Sequence, residues 1–584
     1  MTLPERVLRI DLASEQVTSE TIPSSWLRSF IGGKGLGARY LYELLDPGID
    51  PLGPANVLCL LRGPFSGYLP GETRYVAITK SPLTDIFVDS YSGGSFADEF
   101  VSALDDHAGV IIEGVADEPV SITLEEGTAE IQSVQDRWGM DVPSLDDSFD
   151  GAVAGIGQAG EAQVRYATIA TDGGDHHAGR GGTGAVMGSK RLKAIVARGE
   201  PEVNRALEAV RERYERRFQE LPEGRAHSLS GTLETVDAAD AVGVLPTDGW
   251  RSGSFKGGEE IGIEAIRAVA TGREGATRGV PGDFEVDDVI ARGGTGIALG
   301  ANLGIGDVDE VLYLARLCDT LGLDIIETGS ALVWAMLANE EGLIDREVKF
   351  GSAEDAATLI GEIATRSSPL GDSLADGVDA GASRLGGTDL VPTVKSMATA
   401  SFDPRPAPSM GLAFATSDRG ACHRRSQPVF AEILGADWDD SDRVKAVRHE
   451  QDTSSLLWCY IVDDVTRPAF EDDLGIAYFD ALGIDLTRDE LATIGERVWT
   501  LTRLFNIREG FDREDDRLPP VFTLPLEAST GRPAIDPEAF GRLLTRYYAT
   551  RRWSVEGIPT VSLLEDIGLD AVVDQETPVA DDPA

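Results

Sequence analysis

Thiols are scarce in this chain: four cysteines among 584 residues, Cys59, Cys318, Cys422 and Cys459, with no C-x-x-C pair. That spacing gives neither a disulfide framework nor a structural zinc site its ligands. Positive charge is scarce too. Lys and Arg total 52 against 99 Asp and Glu, a formal net charge of -47, which repels nucleic acid and anionic membranes. The acids are scattered along the chain, and only the last residues, "DQETPVADDPA", form an acidic block. Scattered acid with few basic residues is the pattern of a solvated surface in a salt-rich cytoplasm, where screening removes most of the self-repulsion. No stretch approaches the roughly 18 apolar residues of a membrane helix. The start, "MTLPERVLRIDLASEQV", has neither a basic leader nor an apolar core segment. These absences predict a soluble, cytoplasmic, halophilic protein with no nucleic-acid and no membrane partner.

What is present falls into two textures. The length suits two to four domains, each with its own buried core. Up to about residue 200, short β-branched runs alternate with Gly, Pro and Asp turns: "RVLRIDL", "NVLCLLRGP", "RYVAITKSP", "GVIIEGVA", "PVSITLEEGTAEIQS" and "VRYATIATDG". Beyond it, apolar residues recur at three- and four-residue spacing over Ala206–Leu221, Val308–Leu321, Gly329–Leu343, Ala353–Thr365, Arg443–Ile461 and Asp489–Phe505. The fold class expected is therefore α+β, with a β-rich domain over 1–200 and helical domains over 201–397 and 398–584.

One loop concentrates the chemistry: "HHAGRGGTGAVMGSKRLKAI", residues 176 to 195. A nucleotide-triphosphate loop would end in Gly-Lys followed by Ser or Thr, but Gly188-Ser189-Lys190 has the order reversed. A dinucleotide fold would space its glycines G-x-G-x-x-G, and Gly182-Thr183-Gly184 reaches Gly188 one residue late. Consecutive glycines before a helix still expose backbone N–H groups, and with Arg180 they suit a phosphorylated ligand. The bland alternative is a tight turn that lets strand and helix pack closely.

The segments around that loop carry more information. "GARYLYELLDPGIDPLGPANVLCLLRGPFSGYLPGETRYVAITKSPLTD", "YSGGSFADEF", "AGRGGTGAVMGSKRLKAI", "ALGANLGIGDVDEVLYLARLCDTLGLDIIETG", "RGACHRR" and "IGERVWTLTRLFNIREGFDREDDRLP" occur in this order. Together they resemble the aldehyde ferredoxin oxidoreductase family, tungsten enzymes that carry two molybdopterin-type ligands. The resemblance runs from about Val7 to about Arg552. It implies a β-rich base under a bis-molybdopterin cofactor with tungsten or molybdenum, magnesium as a companion ion, and two helical domains closing over it. It also implies oxidation of a small aldehyde, with ferredoxin or another redox protein as acceptor, and assembly as a homodimer or with a paralogous subunit.

Carried over by position, Arg74 matches a pterin-contacting arginine and Gly93 a backbone contact. Gly179 and Arg180 match in the loop, whereas His176 and His177 stand where the family has Arg and Ala. A histidine is a poorer permanent phosphate partner, since an ordinary imidazole loses its charge near neutral pH. Asp319-Thr320-Leu321-Gly322-Leu323-Asp324 matches the D-x-x-G-L-[DC] signature, in which carboxylates accept paired hydrogen bonds from a pterin edge. Asp319, Leu323 and Asp324 are thus cofactor-site candidates. His423 in "RGACHRR" matches the histidine beside the metal, a proton carrier suited by a titration near neutrality.

The departures are as specific. In the second signature copy Cys459 aligns, but Ser454 and Leu457 replace Asp and Gly. No acid precedes "ALGANLG", where Gly293, Gly294 and Thr295 stand. The family's C-x-x-C-x-x-x-C group is absent from "EGATRGVPGDFEVDDVIARGGTG", leaving Cys459 as a vestigial ligand position. A 4Fe-4S cluster, normally held by four thiolates, is therefore expected for the family and predicted absent here. Tyr313 occupies the place of a glutamate that would bind a metal at a dimer axis.

Overall fold

Successive side chains on a strand point to opposite faces, so a sheet whose residues are apolar in both registers must be covered on both sides. The N-terminal sequence has this character, and the computed structural model shows how it is met. The structure describes residues 3–582 apart from 201–203, 231, 273–283, 287–288, 436 and 527–533. The stretch in which the family's cysteine group would fall lies largely outside the described residues.

Twelve strands build two six-stranded sheets. The first contains β1 (Arg6–Asp11), β2 (Gln16–Thr21), β3 (Leu58–Leu61), β4 (Tyr75–Lys80), β5 (Phe87–Ser92) and β6 (His107–Glu113), in the order β2-β1-β6-β3-β4-β5. The second contains β7 (Val120–Glu125), β8 (Thr128–Ser133), β9 (Ala152–Gly155), β10 (Ile169–Thr171), β11 (His176–Ala178) and β12 (Leu192–Arg198), in the order β11-β10-β9-β12-β7-β8. Within these sheets β1 runs parallel to β6 and β7 to β12, while the other neighbours are antiparallel. Leu8, Ile10, Leu60, Ala77, Val110 and Ile112 enter a core shared with Ile122, Leu124 and Ile195 of the second sheet. Their neighbours Val7, Cys59, Leu61, Val76, Ile78 and Ile111 belong to the larger core on the opposite face, among the helices. Each aliphatic side chain so buried contributes on the order of 1.5–3 kcal/mol.

The helices that position the site are α1 (Gly33–Leu44), α2 (Thr183–Ser189), α3 (Val308–Leu321), α4 (Ile325–Glu340), α5 (Pro408–Thr416), α6 (Asp440–Tyr460) and α7 (Arg488–Arg508). The α3 bounds match the apolar periodicity, because Asp307 caps its first turn and Gly322, left-handed at φ 76, closes its last. Two helices start before the periodicity does. For α4 the cap is Asp324, which accepts from the Glu327 N–H, and for α6 it is a reciprocal Asp439–Asp442 capping box. Capping is set by the polar residue ahead of the first apolar repeat, so the repeat alone places these starts three or four residues late. No helix among the described residues is long and apolar enough to cross a membrane.

Candidate functional site

The glycine loop connects β11 to α2, and packing accounts for much of its composition. A Cβ at Gly184 would come within 2.2 Å of the Thr168 carbonyl oxygen, and one at Gly188 within 1.9 Å of the Gly160 carbonyl oxygen. Glycine at these two positions lets α2 lie directly on backbone. The close-packing turn and the ligand loop are therefore one object. Arg180 stands before it with φ 67, a left-handed conformation that costs a non-glycine residue of order 1 kcal/mol.

Arg180 is held there by a network. Its backbone N–H donates to Asp324 Oδ2 at 3.0 Å, and its Nη1 lies 3.5 Å from Asp324 Oδ1. Its Nη2 donates to the carbonyls of Ala398 at 2.5 Å and Ala421 at 2.9 Å. One buried guanidinium thus ties the β-rich part to the start of α4 and to the segment carrying His423. The signature residues dock on the segment just ahead of β10: the Asp324 N–H donates to Tyr166 O at 3.2 Å, Thr168 N–H to Gly322 O at 2.9 Å, and buried Leu323 bridges Ala167. Asp319, in the last turn of α3, reaches His177, with Nε2 3.1 Å from Oδ1, and keeps 22% of its side chain exposed. His177 also bonds Thr168 and the Gly174 carbonyl, each at 2.8 Å. A Cβ at Gly179 would meet Asp324 Oδ2 at 2.9 Å, so the loop is closed onto that carboxylate.

Arg74, Gly93 and His176 gather around Glu72, a residue that no sequence motif singled out. Glu72 Oε1 receives the Gly94 N–H at 3.1 Å and lies 2.7 Å from His176 Nε2, while Oε2 lies 3.4 Å from Arg74 Nη2. Arg74 also pairs with Asp463 at 3.3 Å, and His176 Nδ1 lies 3.3 Å from Asp172. Gly93 is needed here, since a Cβ would fall 2.1 Å from Glu72 Oε2. Burial opposes charge on Glu72, but His176 and Arg74 hold it at about 2. Burial likewise opposes a charged His176, yet Asp172 and Glu72 raise it above the ordinary imidazole value. The expectation of a histidine losing its charge near neutrality is modified for His176: two carboxylates favour its charged form.

His423 needs the opposite correction. Burial, followed by the like charges of Arg424, Arg180 and Arg419, pushes it down to about 3, although its surface is not fully covered. It is a neutral imidazole throughout the physiological range, not a group titrating near neutrality. Its ring packs edge-on against Phe402 at 6.2 Å, and its Nδ1 is buried without a hydrogen-bond partner. Arg74 Nε, Arg419 Nε and Glu327 Oε1 share that condition. Each such atom carries a desolvation cost that a polar ligand could relieve, and atoms of this kind occur elsewhere in the molecule as well. The segment leading to Phe402 also borders a small recess lined by Trp250, Ile297, Asn302, Ile326, Ser330 and Thr399.

The second signature copy is built into the middle of α6 and its surroundings. Ser454 Oγ donates to Arg425 O at 3.1 Å and accepts from Arg467 at 2.6 Å. Trp458 stacks on Tyr91 with centroids 5.3 Å apart, lies under the Arg425 guanidinium at 4.4 Å, and donates to Asp464 at 2.9 Å. Arg425 and Lys34 share Asp89 and Asp418 in a buried ion cluster. Burial and the Arg425 charge push Lys34 down to about 7. Cys459, raised to about 12 by burial, donates to Ser455 O at 3.1 Å. Like Cys59, Cys318 and Cys422 it is a buried free thiol. Among the described residues no group of three or more His, Cys, Asp or Glu has the geometry to hold a metal ion.

The test of fit is therefore asymmetric. On the Asp319–Arg180 side an accessible carboxylate, a guanidinium and a glycine-lined turn match an aminopyrimidinone edge with a phosphate tail. On the Ser454–Trp458 side a hydroxyl with internal partners replaces the carboxylate, and the nearby indole is likewise engaged. Glu72, Asp172, Glu327 and Asp463 were missed in the sequence because carboxylates are abundant throughout and only tertiary contacts distinguish these four. The lone local signal is Glu72 two residues before Arg74, a spacing that puts both on one face of an extended segment.

Comparison with known proteins agrees with this architecture. Residues 7–199 match the model of the aldehyde ferredoxin oxidoreductase N-terminal domain, and 209–569 that of its domains 2 and 3. The tungsten-containing aldehyde ferredoxin oxidoreductase of Pyrococcus horikoshii is 34% identical, covering 97% of this chain and 98% of that protein; that of Pyrococcus abyssi is 33% identical, covering 97% and 99%. A WOR-like subunit of an aliphatic sulfonate oxidoreductase from Pyrococcus furiosus is 28% identical over 97% of this chain and 96% of its own. The active-site complex BamBC of benzoyl coenzyme A reductase superposes with a TM-score of 0.78 at 21% identity, covering 97% of each chain, a likeness of fold. With both family models matched in order along nearly its whole length, the chain belongs to the aldehyde ferredoxin oxidoreductase family.

Proposed function

We propose that this chain oxidises an aldehyde to a carboxylic acid at a bis-pterin tungsten or molybdenum centre, with magnesium as companion ion and an electron exit unlike that of its relatives. The observation that carries the reading is the Arg180 hub, which joins the glycine loop, Asp324 and the segment of His423, whose Nδ1 is buried without a partner. Asp319 and Asp324 would hold the pterin edge, and Arg180, Gly179, His177 and the Arg74–Gly93–His176 cluster its polar tail. Bound there, the group supplies a two-electron acceptor and a Lewis acid for the carbonyl oxygen. His423, neutral at working pH, orients a carbonyl or water by hydrogen bonding. Trp250, Ile297 and Ile326 of the recess exclude water from the aldehyde carbon, while Asn302, Ser330 and Thr399 offer it polar contacts.

In this reading the chain works in a salt-rich cytoplasm, its domains divide at about 200 and 397, and a redox protein other than the cluster-fed ferredoxin route takes the electrons. A second reading, a non-catalytic cofactor carrier or a subunit paired with an intact paralogue, is favoured by the replaced carboxylate at Ser454 and the indole of Trp458. Elemental analysis for W, Mo, Fe and P on protein from a salt-rich host, followed by single-turnover reduction with an aldehyde, separates them. Metal with phosphorus and aldehyde reduction supports the enzyme; metal without reduction supports the carrier. Protein lacking both metal and pterin supports the subunit, and about four iron per chain would refute the altered exit.

A further inference from the structure

Residues 293–295 bring no carboxylate to this site, but α4 does. Glu327 lies in its first turn, 1% exposed. One oxygen accepts the Ala398 N–H at 2.9 Å, and the other is buried without a hydrogen bond of normal geometry, the Val378 N–H adding only a weaker pull on the carboxylate. Ala398 is also where Arg180 Nη2 lands, through the carbonyl of the same residue. The backbone then runs through Thr399 and Ser401, which line the recess, to Phe402, whose ring faces His423. Ile326 and Ser330 of the same helix line that recess as well. Glu327 thus sits at the root of the one short segment that touches Arg180, the recess and His423 in turn.

The charges around it are few. From the glycine loop comes Arg180, which favours ionisation. Asp324 at the start of its own helix opposes it, and Tyr166, buried in the turn just ahead of β10, faces it as a neutral phenol. The N–H groups of Ala398 and Val378 favour the anion, but burial outweighs all of these and lifts Glu327 to about 7. A buried carboxylate beside an arginine that is already committed to Asp324 and two carbonyls is a group poised between its two states. His423, by contrast, is locked neutral.

We propose that Glu327 is the positioning residue of this site, holding an exchangeable proton on its second oxygen while fixing the Ala398–Phe402 segment between Arg180 and His423. The proposal rests on the reading of the site as an aldehyde-oxidising centre for its role in turnover, but not for the proton itself. In the first state Glu327 is a neutral acid bonded to Ala398. In the second it is an anion that draws Arg180 and the Ala398 and Val378 amides together, and the proton leaves to water. Aldehyde oxidation with water releases protons as the acid forms, so a carboxylate near this junction that accepts one close to neutrality matches the demand.

The test uses the full-length purified chain. Infrared spectroscopy follows the carbonyl stretch of protonated carboxyl groups as pH is raised. The expected result is a buried carboxyl that stays protonated to about pH 7 in the wild type, disappears in Glu327→Gln, and persists in Asp146→Asn, which removes another raised carboxyl, at about 6. Loss of that signal by about pH 5 in the wild type, or its survival in Glu327→Gln, would overturn the proposal. Protein loaded in its host is then assayed with an aldehyde across the same range. The rate should fall about tenfold or more on the acid side of pH 7, with that limb flattened in Glu327→Gln at unchanged KM and restored at a shifted pH in Glu327→Asp. A uniform loss of rate with the limb intact would reduce Glu327 to a packing residue and sink the idea. Failure of every variant and the wild type to oxidise aldehydes, with the infrared result as expected, would fell the functional reading and leave the proton on Glu327.

Discussion

Glu72 shows how one side chain can set the behaviour of its neighbours. Replacing it by Gln removes a carboxylate from His176 and from Arg74 together. The His176 titration, monitored by NMR among only six histidines, should move down toward the ordinary imidazole range. His176 is raised in the folded state, so its share of the clamp's stability is complete below the unfolded imidazole value and lost as pH rises through the folded one. Glu72, held at about 2, contributes stability above the unfolded carboxylate value and loses it only as pH falls toward that figure. The melting-temperature gap between wild type and Glu72→Gln should therefore be widest near pH 6 and narrow, without closing, toward pH 9, because Arg74 stays charged. A loss of about 2 kcal/mol near pH 6 is expected for a pair that is mostly, not wholly, buried. Arg180→Lys tests the hub. A lysine has no planar fork to reach Asp324 and two carbonyls at once, so stability should fall by about 3 kcal/mol, and a melting point equal to wild type would show that the hub is not structural.

Glycine content explains more at the scale of elements. Gly188→Ala would drive a methyl group against the Gly160 backbone, 1.9 Å away, and displace α2 with its loop; a loss of more than about 2 kcal/mol is expected in thermal melts. Gly361→Ala is the control, since a Cβ there meets nothing within 4 Å on the helix Ala353–Thr365; it should stabilise by about 0.5–1 kcal/mol. Equal effects from the two would mean that close packing is not what these glycines serve. Both lie in sequence stretches of similar appearance. Strands were legible as short β-branched runs between turn residues, as in β1, and helices because burial of one face imposes a 3.6-residue period on apolar residues, as in α3. Their starts were less so, since Asp324 and Asp439 cap helices before the repeat begins. Even the resemblance to a known family could not say that His176 is clamped by Glu72, which is 104 positions away in the chain.

For the whole molecule the dominant quantity is charge. At -47, the folded chain repels itself more strongly than the expanded one, and screening relieves the repulsion. The melting temperature should rise by 10 °C or more, roughly, between about 0.1 and 2 M KCl; a flat or falling profile would refute salt adaptation. Buried pairs such as Lys34 with Asp89 and Asp418 are beyond the reach of screening and should contribute equally at both salt concentrations. Composition and order of motifs by themselves determined an α+β chain of this family with no cysteine where the family's C-x-x-C-x-x-x-C group would stand, because patterning, charge and spacing are properties of the line of residues. Which histidine has its charged form favoured, which is pushed toward neutrality, and which glutamate is lifted by burial were decided only by tertiary structure. Those properties depend on desolvation and on partners brought within about 3 Å by folding, and no linear pattern encodes either.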